Sequence, residues 1–222
     1  KIIEKAGVLI EALPYIQRFR NAVVVVKFGG RAMEDKTHAD SILLDIAFME
    51  CVGICPVIVH GGGKLISRKM KAAGVESKFV KGLRVTCEKS IEIVEQVMKQ
   101  EINPGIVASL LRMGARAEGL HGDEVFDVTR MKDVDPDTGQ ALDWGFVGDP
   151  HKVHVKDIKA ILRRHVIPVV TPLGAGQDGK IHNINADVAA AALAGALKAR
   201  KLVFLSDVPG LLRNPKDEAT LI

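Results

Sequence analysis

Cysteine is scarce in this chain: three in 222 residues, Cys51, Cys55 and Cys87, with no C-x-x-C pair among them. An odd number without paired spacing argues against a disulfide framework and against a cysteine zinc site, and it points to a reducing, cytoplasmic setting. Long apolar runs are missing too. The longest stretch, Ala189 to Leu205, is cut by Lys198, Arg200 and Lys201, well short of the roughly 18–20 residues a membrane-spanning helix requires. The 21 glycines and 9 prolines follow no period, which excludes collagen-like and low-complexity chains. No strong excess of one charge exists: 31 Lys and Arg against 27 Asp and Glu leave +4, too mild and dispersed for a nucleic-acid surface. Neither Lys27-Phe28-Gly29-Gly30 nor His60-Gly61-Gly62-Gly63 fits G-x-x-x-x-G-K-[ST] or G-x-G-x-x-G, which disfavours a P-loop NTPase and a Rossmann dehydrogenase.

What is present suits a folded α/β protein. Hydrophobic residues make up 47% and charged residues 26%, enough apolar surface for a substantial core. Ile2 to Arg20 reads as an amphipathic helix kinked at Pro14. Val23 to Phe28 and Pro56 to His60 are nearly unbroken apolar runs, as expected of strands buried on both faces. Helical patterns follow at Ala39 to Cys51 and at about Lys64 to Ala73. The stretch Glu88 to Met113 reads as helical at both ends with a break near Asn103-Pro104-Gly105. Ala115 to Leu120 is strand-like, and Val125 to Val147 reads as a hairpin about Asp135-Pro136-Asp137-Thr138-Gly139. The helix Val155 to His165, strand Ile167 to Thr171, turn Asp178-Gly179, alanine-rich helix Val188 to Lys198 and strand Leu202 to Leu205 complete the series. Strands alternating with helices predict a mainly parallel sheet covered on both faces, a three-layer αβα sandwich.

In such sheets ligands sit beyond the carboxyl ends of the strands, and the unusual residues collect there. Lys27-Phe28-Gly29-Gly30 ends the first strand, and His60-Gly61-Gly62-Gly63 ends the second and opens a helix. Glycines admit close backbone approach, and a helix N-terminus favours an anion such as a transferring phosphoryl group. Either loop taken alone is also a common strand-to-helix turn that binds nothing. Lys27 is either a ligand-facing cation or a snorkelling surface lysine. Arg84, in a loop-like segment, suits bidentate capture of a carboxylate, against the alternative of a plain surface arginine. Extended geometry would put Asn183, Asn185 and Asp187 on one side, with Asp187 capping the following helix. Ser206-Asp207-Val208-Pro209-Gly210 follows an apolar strand, as a ligand-side loop or as an ordinary turn.

Together, Lys27-Phe28-Gly29-Gly30, His60-Gly61-Gly62-Gly63, Gly82-Leu83-Arg84-Val85-Thr86, Asn183-Ile184-Asn185-Ala186-Asp187 and Ser206-Asp207-Val208-Pro209-Gly210 resemble the amino-acid kinase family. Within it they are most similar to the arginine-sensitive, hexameric acetylglutamate kinases. The resemblance implies γ-phosphoryl transfer from ATP, with Mg²⁺ held mainly by its phosphates and no protein metal ligand named, to the side-chain carboxylate of N-acetyl-L-glutamate, a step of arginine biosynthesis. It implies that Lys27 stabilises the transferring group, that Asp187 orients the catalytic lysines, and that Gly29 and Gly30 line the phosphate path. Gly62 and Gly63 would contact the substrate, Arg84 and Asn183 would hold its α-carboxylate, and Asp207, Val208, Pro209, Gly210, Leu211 and Leu212 would border the nucleotide. The nucleophile is already ionised at neutral pH, so no general base is required. That accords with sites offering lysine and backbone donors but no Ser-His-Asp arrangement.

The same resemblance divides the chain into an N-terminal helix (1–20) for oligomerisation and arginine regulation, an acetylglutamate lobe (21–182) and the start of an ATP lobe (183–222). It offers Tyr15 and Lys201 as residues of an arginine effector site, and it implies a homo-oligomer, a hexamer built as a trimer of dimers, and a PII-type signalling partner. The helix at 1–20 could equally pack on its own domain. Both chain ends read as cut, and a second catalytic lysine and much of the adenine pocket are expected beyond Ile222. Alternatives at this point are a relative acting on aspartate or carrier-linked aminoadipate, and a non-catalytic arginine-sensing or partner-binding homologue.

Overall fold

A computed structural model describes residues 2–33, 35–134, 139, 141–205, 210, 212–214 and 217–222. Its centre is a parallel sheet of five strands: β1 (Val23–Phe28), β2 (Cys55–His60), β5 (Ala117–Leu120), β8 (Ile167–Val170) and β11 (Lys201–Phe204), in the order β11-β1-β2-β8-β5. The apolar runs are explained by two cores, one on each face. Val24 and Val26, Ile58 and Val169 face one cluster, while Val25, Val57, Val59 and Val170 face the other. Because side chains alternate across a strand, both halves of each run must be apolar.

Helices α2 (Lys36–Cys51) and α5 (Asn103–Arg112) cover the first face with Leu43, Ile46, Ile106 and Leu110. Helices α6 (Lys156–Arg163) and α7 (Ala186–Leu197) cover the second with Ile158, Ala189, Ala190 and Leu193. Small alanines let α7 lie close on the sheet. The three-layer expectation is met, and the N-terminal helix α1 (Ile2–Phe19) runs through Pro14 as one element. No helix among the described residues is long and apolar enough to cross a membrane.

Two expectations are corrected here. The stretch from Glu88 is not broken near Asn103-Pro104-Gly105: α4 (Glu88–Gln96) passes through a π-helical segment, Val97–Ile102, directly into α5. Proline inside an α-helix lacks a donor and crowds the carbonyl four residues back, and the wider π turn ahead of Pro104 relieves that crowding without a break. Arg84 does not lie in a plain loop or on the surface. It ends a two-stranded hairpin, β3 (Phe79–Val80) and β4 (Leu83–Arg84), and is 6% exposed.

Beyond the main sheet, β6 (Phe126–Val134), β7 (Ala141–Val153), β9 (Leu173–Gly176) and β10 (Ile181–Asn183) close into a small ring. The long β6–β7 pair is the expected hairpin, and its turn at 135–138 lies outside the described residues. This ring holds the Arg84 hairpin. Trp144 Nε1 donates to Val80 O at 3.0 Å, Thr86 N donates to Trp144 O at 2.8 Å, and Phe146 N donates to Thr86 O at 2.7 Å.

Candidate functional site

The strand order reverses at β1, whose neighbours β2 and β11 are reached in opposite directions. A crevice opens where connections leave the two sides of such a strand. Here it becomes a cavity of about 1160 Å³, lined by Lys27, Gly30, Gly62, Gly63, Arg84, Asn183 and Asp187 among others. One cavity therefore gathers seven of the residues singled out from the sequence. Gly29 sits directly beside it, where a methyl group would stand 3.2 Å from the Lys27 Cε.

At one side, Lys27 leaves the end of β1 with its side chain mostly covered, and its Nζ lies 3.1 Å from Asp187 Oδ1. Asp187 is free to make this pair because it does not cap α7. The expected cap is corrected: Asn185 is the N-cap, its Oδ1 accepting from Asp187 N at 2.8 Å and Val188 N at 3.2 Å. Asn183, Asn185 and Asp187 also do not form one extended row, because β10 ends at Asn183 and the helix begins at Ala186. The chain turns there because an Asn side chain replaces the missing helical acceptors of the first turn. Asn183 and Asp187 still reach the same cavity.

The glycine loops form the floor. Gly61 N donates to Phe28 O at 2.7 Å, and a methyl on Gly29 or Gly61 would stand 3.4 Å from the other residue's Cα. The turn of Gly30 requires φ +64°, a conformation that costs glycine least. Gly62 is the N-cap of α3 (Gly63–Ala72), so the first amides of that helix, which lack partners within it, bear on the cavity.

Arg84 closes the other side. Its Nη2 donates to Gly63 O at 2.8 Å and Ser67 Oγ at 3.0 Å, its Nη1 donates to Ser77 Oγ and to Met70 Sδ, and Phe79 lies under the guanidinium at 4.6 Å. Burial pushes its pKa down. These partners, among the described residues, are all neutral. A buried cation held by neutral groups gains most from an anionic ligand.

Tyr15 and Lys201 are not brought to this cavity. Tyr15 is exposed on α1, and Lys201 pairs with Val24 near the start of β1. Asp207, Val208, Pro209 and Leu211 lie outside the described residues. Gly210 and Leu212 follow β11, whose end pairs with Lys27 through Phe204. Sequence reasoning missed the roles of Ser67 and Ser77 in fixing Arg84, and their isolated serine signal offers nothing to find them by. It also missed Asn103, whose Nδ2 lies 3.3 Å from His60 Nε2.

The profile of the amino acid kinase family matches residues 22–222. The chain is 44% identical over 227 residues to the acetylglutamate kinase of Heliobacterium modesticaldum, covering all of this chain and 77% of that protein. It is 44% identical over 224 residues to the acetylglutamate kinase of Archaeoglobus fulgidus, covering 99% of this chain and 77% of that protein. Among solved structures it is similar to N-acetylglutamate synthase from Neisseria gonorrhoeae, solved with coenzyme A and N-acetyl-glutamate, at TM-score 0.80 and 27% identity over 95% of this chain and 47% of that one. With a family profile spanning all but the first helix and a fold that brings residues of four of the five motifs into one cavity, the chain belongs to the amino acid kinase family.

Proposed function

We propose that this chain carries the substrate site of an enzyme that transfers the γ-phosphoryl group of ATP to the side-chain carboxylate of N-acetyl-L-glutamate, giving N-acetylglutamyl phosphate and ADP in arginine biosynthesis. The observation that carries the reading is the cavity with a buried, neutrally held arginine on one side and a lysine on the other, joined by the amides of a helix N-terminus. Relatives named acetylglutamate kinase, 44% identical across the chain, supply the substrate.

In this reading Arg84 and Asn183 hold the α-carboxylate, and the glycine amides of the α3 N-terminus receive the substrate's oxygens. A side-chain carboxylate oxygen attacks the γ-phosphorus while the bond from that phosphorus to the β–γ bridging oxygen breaks, and the electron pair leaves with ADP. Lys27 neutralises charge on the equatorial oxygens, and Asp187 holds the ammonium in place. Mg²⁺ supplies further charge neutralisation through the ATP phosphates. Residues 21–182 form the acetylglutamate lobe, residue 183 onward begins the ATP lobe, and Gly29, Gly30 and 207–212 border the nucleotide.

The finer reading places an arginine effector near Tyr15 and Lys201, with α1 joining copies into a hexamer in the cytoplasm. The exposed apolar Val8, Ile10 and Leu13 on α1 support such packing, as does Arg200, which stacks on Phe19 beside Lys201 at 4.9 Å. The full-length protein with ATP and Mg²⁺ should release ADP on addition of N-acetylglutamate but not aspartate, glutamate, carbamate or carrier-linked aminoadipate. Preference for one of the others overturns the substrate assignment. Arginine binding in a calorimeter without ATP binding would identify a non-catalytic sensor instead.

A further inference from the structure

The floor of the cavity is held from beneath by groups the reaction does not use. His60, the last residue of β2, is fully buried. Its Nδ1 lies 2.9 Å from Gly61 O and its Nε2 lies 3.3 Å from Asn103 Nδ2. A carbonyl can only accept, so Nδ1 carries the proton and Nε2 is the acceptor. Asn103 Nδ2 has two hydrogens; one serves His60, and the other goes to Val169 O on β8 at 2.8 Å. Burial drives the His60 pKa down to about 4, so the ring is neutral at physiological pH and this single arrangement of donors persists.

Asn103 arrives there through the π-helical segment, which ends at Ile102. Its Oδ1 packs where a Gly119 methyl would stand, 2.2 Å away, so the amide is wedged between β5 and β2. The preceding residue bears on the same loop: the Ile102 Cδ1 lies 2.5 Å from where a Gly62 Cβ would be. Two consecutive residues delivered by the widened turn thus shape the loop from below. Inserted π turns rotate the residues that follow, and they recur at functional sites.

The consequence lies in the planarity of the peptide. In a trans peptide the C=O and N–H point in opposite directions. Drawing Gly61 O toward the His60 ring therefore turns the Gly62 N–H away from it, toward the cavity that Gly61, Gly62 and Gly63 line. We propose that His60 and Asn103 are positioning residues: the relay from Val169 O through Asn103 and His60 to Gly61 O sets the direction in which the Gly62 amide meets the acyl-amino-acid substrate. The inference deepens the function proposed above and rests on it for the identity of that substrate.

Replacement of His60 can separate positioning from packing, because an Asn amide nitrogen matches the position of Nδ1 and a Gln amide nitrogen that of Nε2. In the full-length protein, His60→Gln leaves Gly61 O without its donor and should weaken N-acetylglutamate binding about tenfold, the worth of one such hydrogen bond. His60→Asn restores the donor and should bring the dissociation constant back to within about threefold of the parent. Asn103→Leu, of similar size but without donors, loosens the ring while leaving Nδ1 its hydrogen, and should weaken binding by about threefold, less than His60→Gln does. Amide exchange at Gly62, followed by NMR, should accelerate in the Gln and Leu variants and not in the Asn variant.

Equal weakening by Asn and Gln, or weakening that follows the melting temperature across the set, overturns the proposal. Parent-like binding and exchange in Asn103→Leu overturns the part assigned to Asn103. Failure of the parent protein to bind N-acetylglutamate would overturn the assigned substrate instead, while the Gly62 exchange pattern still decides the positioning relay.

Discussion

Lys27 Nζ and Asp187 Oδ1 stand 3.1 Å apart, tying the end of the first strand to the first turn of α7 across 160 residues of sequence. The lysine is mostly covered and the aspartate half-exposed, so the pair adds about 1 kcal/mol or less to stability. Its value is orientation: the ammonium is pinned at the mouth of the glycine loops. Lys27→Ala should lower kcat by about a hundredfold or more with the fold intact, as expected for loss of a charge aimed at the transition state. Asp187→Asn, which keeps a hydrogen-bond acceptor but loses the charge, should lower it by about tenfold. Steady-state kinetics with circular dichroism on the same preparations checks both, and a KM effect alone would contradict the assigned role.

Arg84 is held by Ser67, Ser77 and Gly63 before any ligand arrives. Arg84→Lys retains the charge but cannot reproduce the fork, and KM for N-acetylglutamate should rise about ten- to a hundredfold with a smaller change in kcat. An analogue in which an amide replaces the α-carboxylate should bind the parent and variant equally weakly. Calorimetric titration with both ligands is the measurement.

Gly145 adopts φ +76°, and a methyl there would stand 2.3 Å from Thr86 O, the atom that receives Phe146 N. Backbone cannot retreat as a flexible side chain can. Gly145→Ala should therefore cost about 3 kcal/mol, combining left-handed strain with the displaced contact. It should also raise KM for the substrate, because Thr86 follows the strand that carries Arg84. Urea unfolding and kinetics test the two effects separately.

The buried His60 makes stability depend on pH. Its folded pKa, about 4, lies below the ordinary value of 6.5, so between those values the unfolded chain binds a proton that the folded chain refuses. The His60 contribution should be constant above pH 6.5, fall as the pH drops toward 4, and amount to about 3 kcal/mol lost over that window. His60→Gln should flatten this part of the curve. Chemical denaturation of both proteins at pH 7 and pH 5 gives the comparison; an unchanged slope in the variant would mean that other groups carry the dependence.

Much of this was legible in the sequence for a physical reason. A strand buried on both faces must be apolar at nearly every position, so Val23 to Phe28 and Pro56 to His60, broken only by Lys27 and His60, declare themselves, and glycines at their ends mark where backbone approaches a ligand. Lys27, Gly62, Gly63, Arg84, Asn183 and Asp187 were readable from residue type and place, and they do meet in one cavity. The hairpin bearing Arg84 was not readable, because strands of two residues carry no period. The continuity of the helix through Pro104 was hidden because a π turn leaves no signature in composition.

By itself the sequence determined the alternation of strand and helix, the parallel sheet and the chemistry available at its edge, since these follow from hydrophobic period and residue type. Tertiary structure alone decided who partners whom. It made Asn185 rather than Asp187 the cap, and so released Asp187 for Lys27. It buried Arg84 among neutral donors and acceptors, and it joined Asn103 to His60 across 43 residues. Such pairings depend on packing between distant segments, where a hydrogen bond is strong because water is excluded, and no local pattern in the chain encodes which segments will meet.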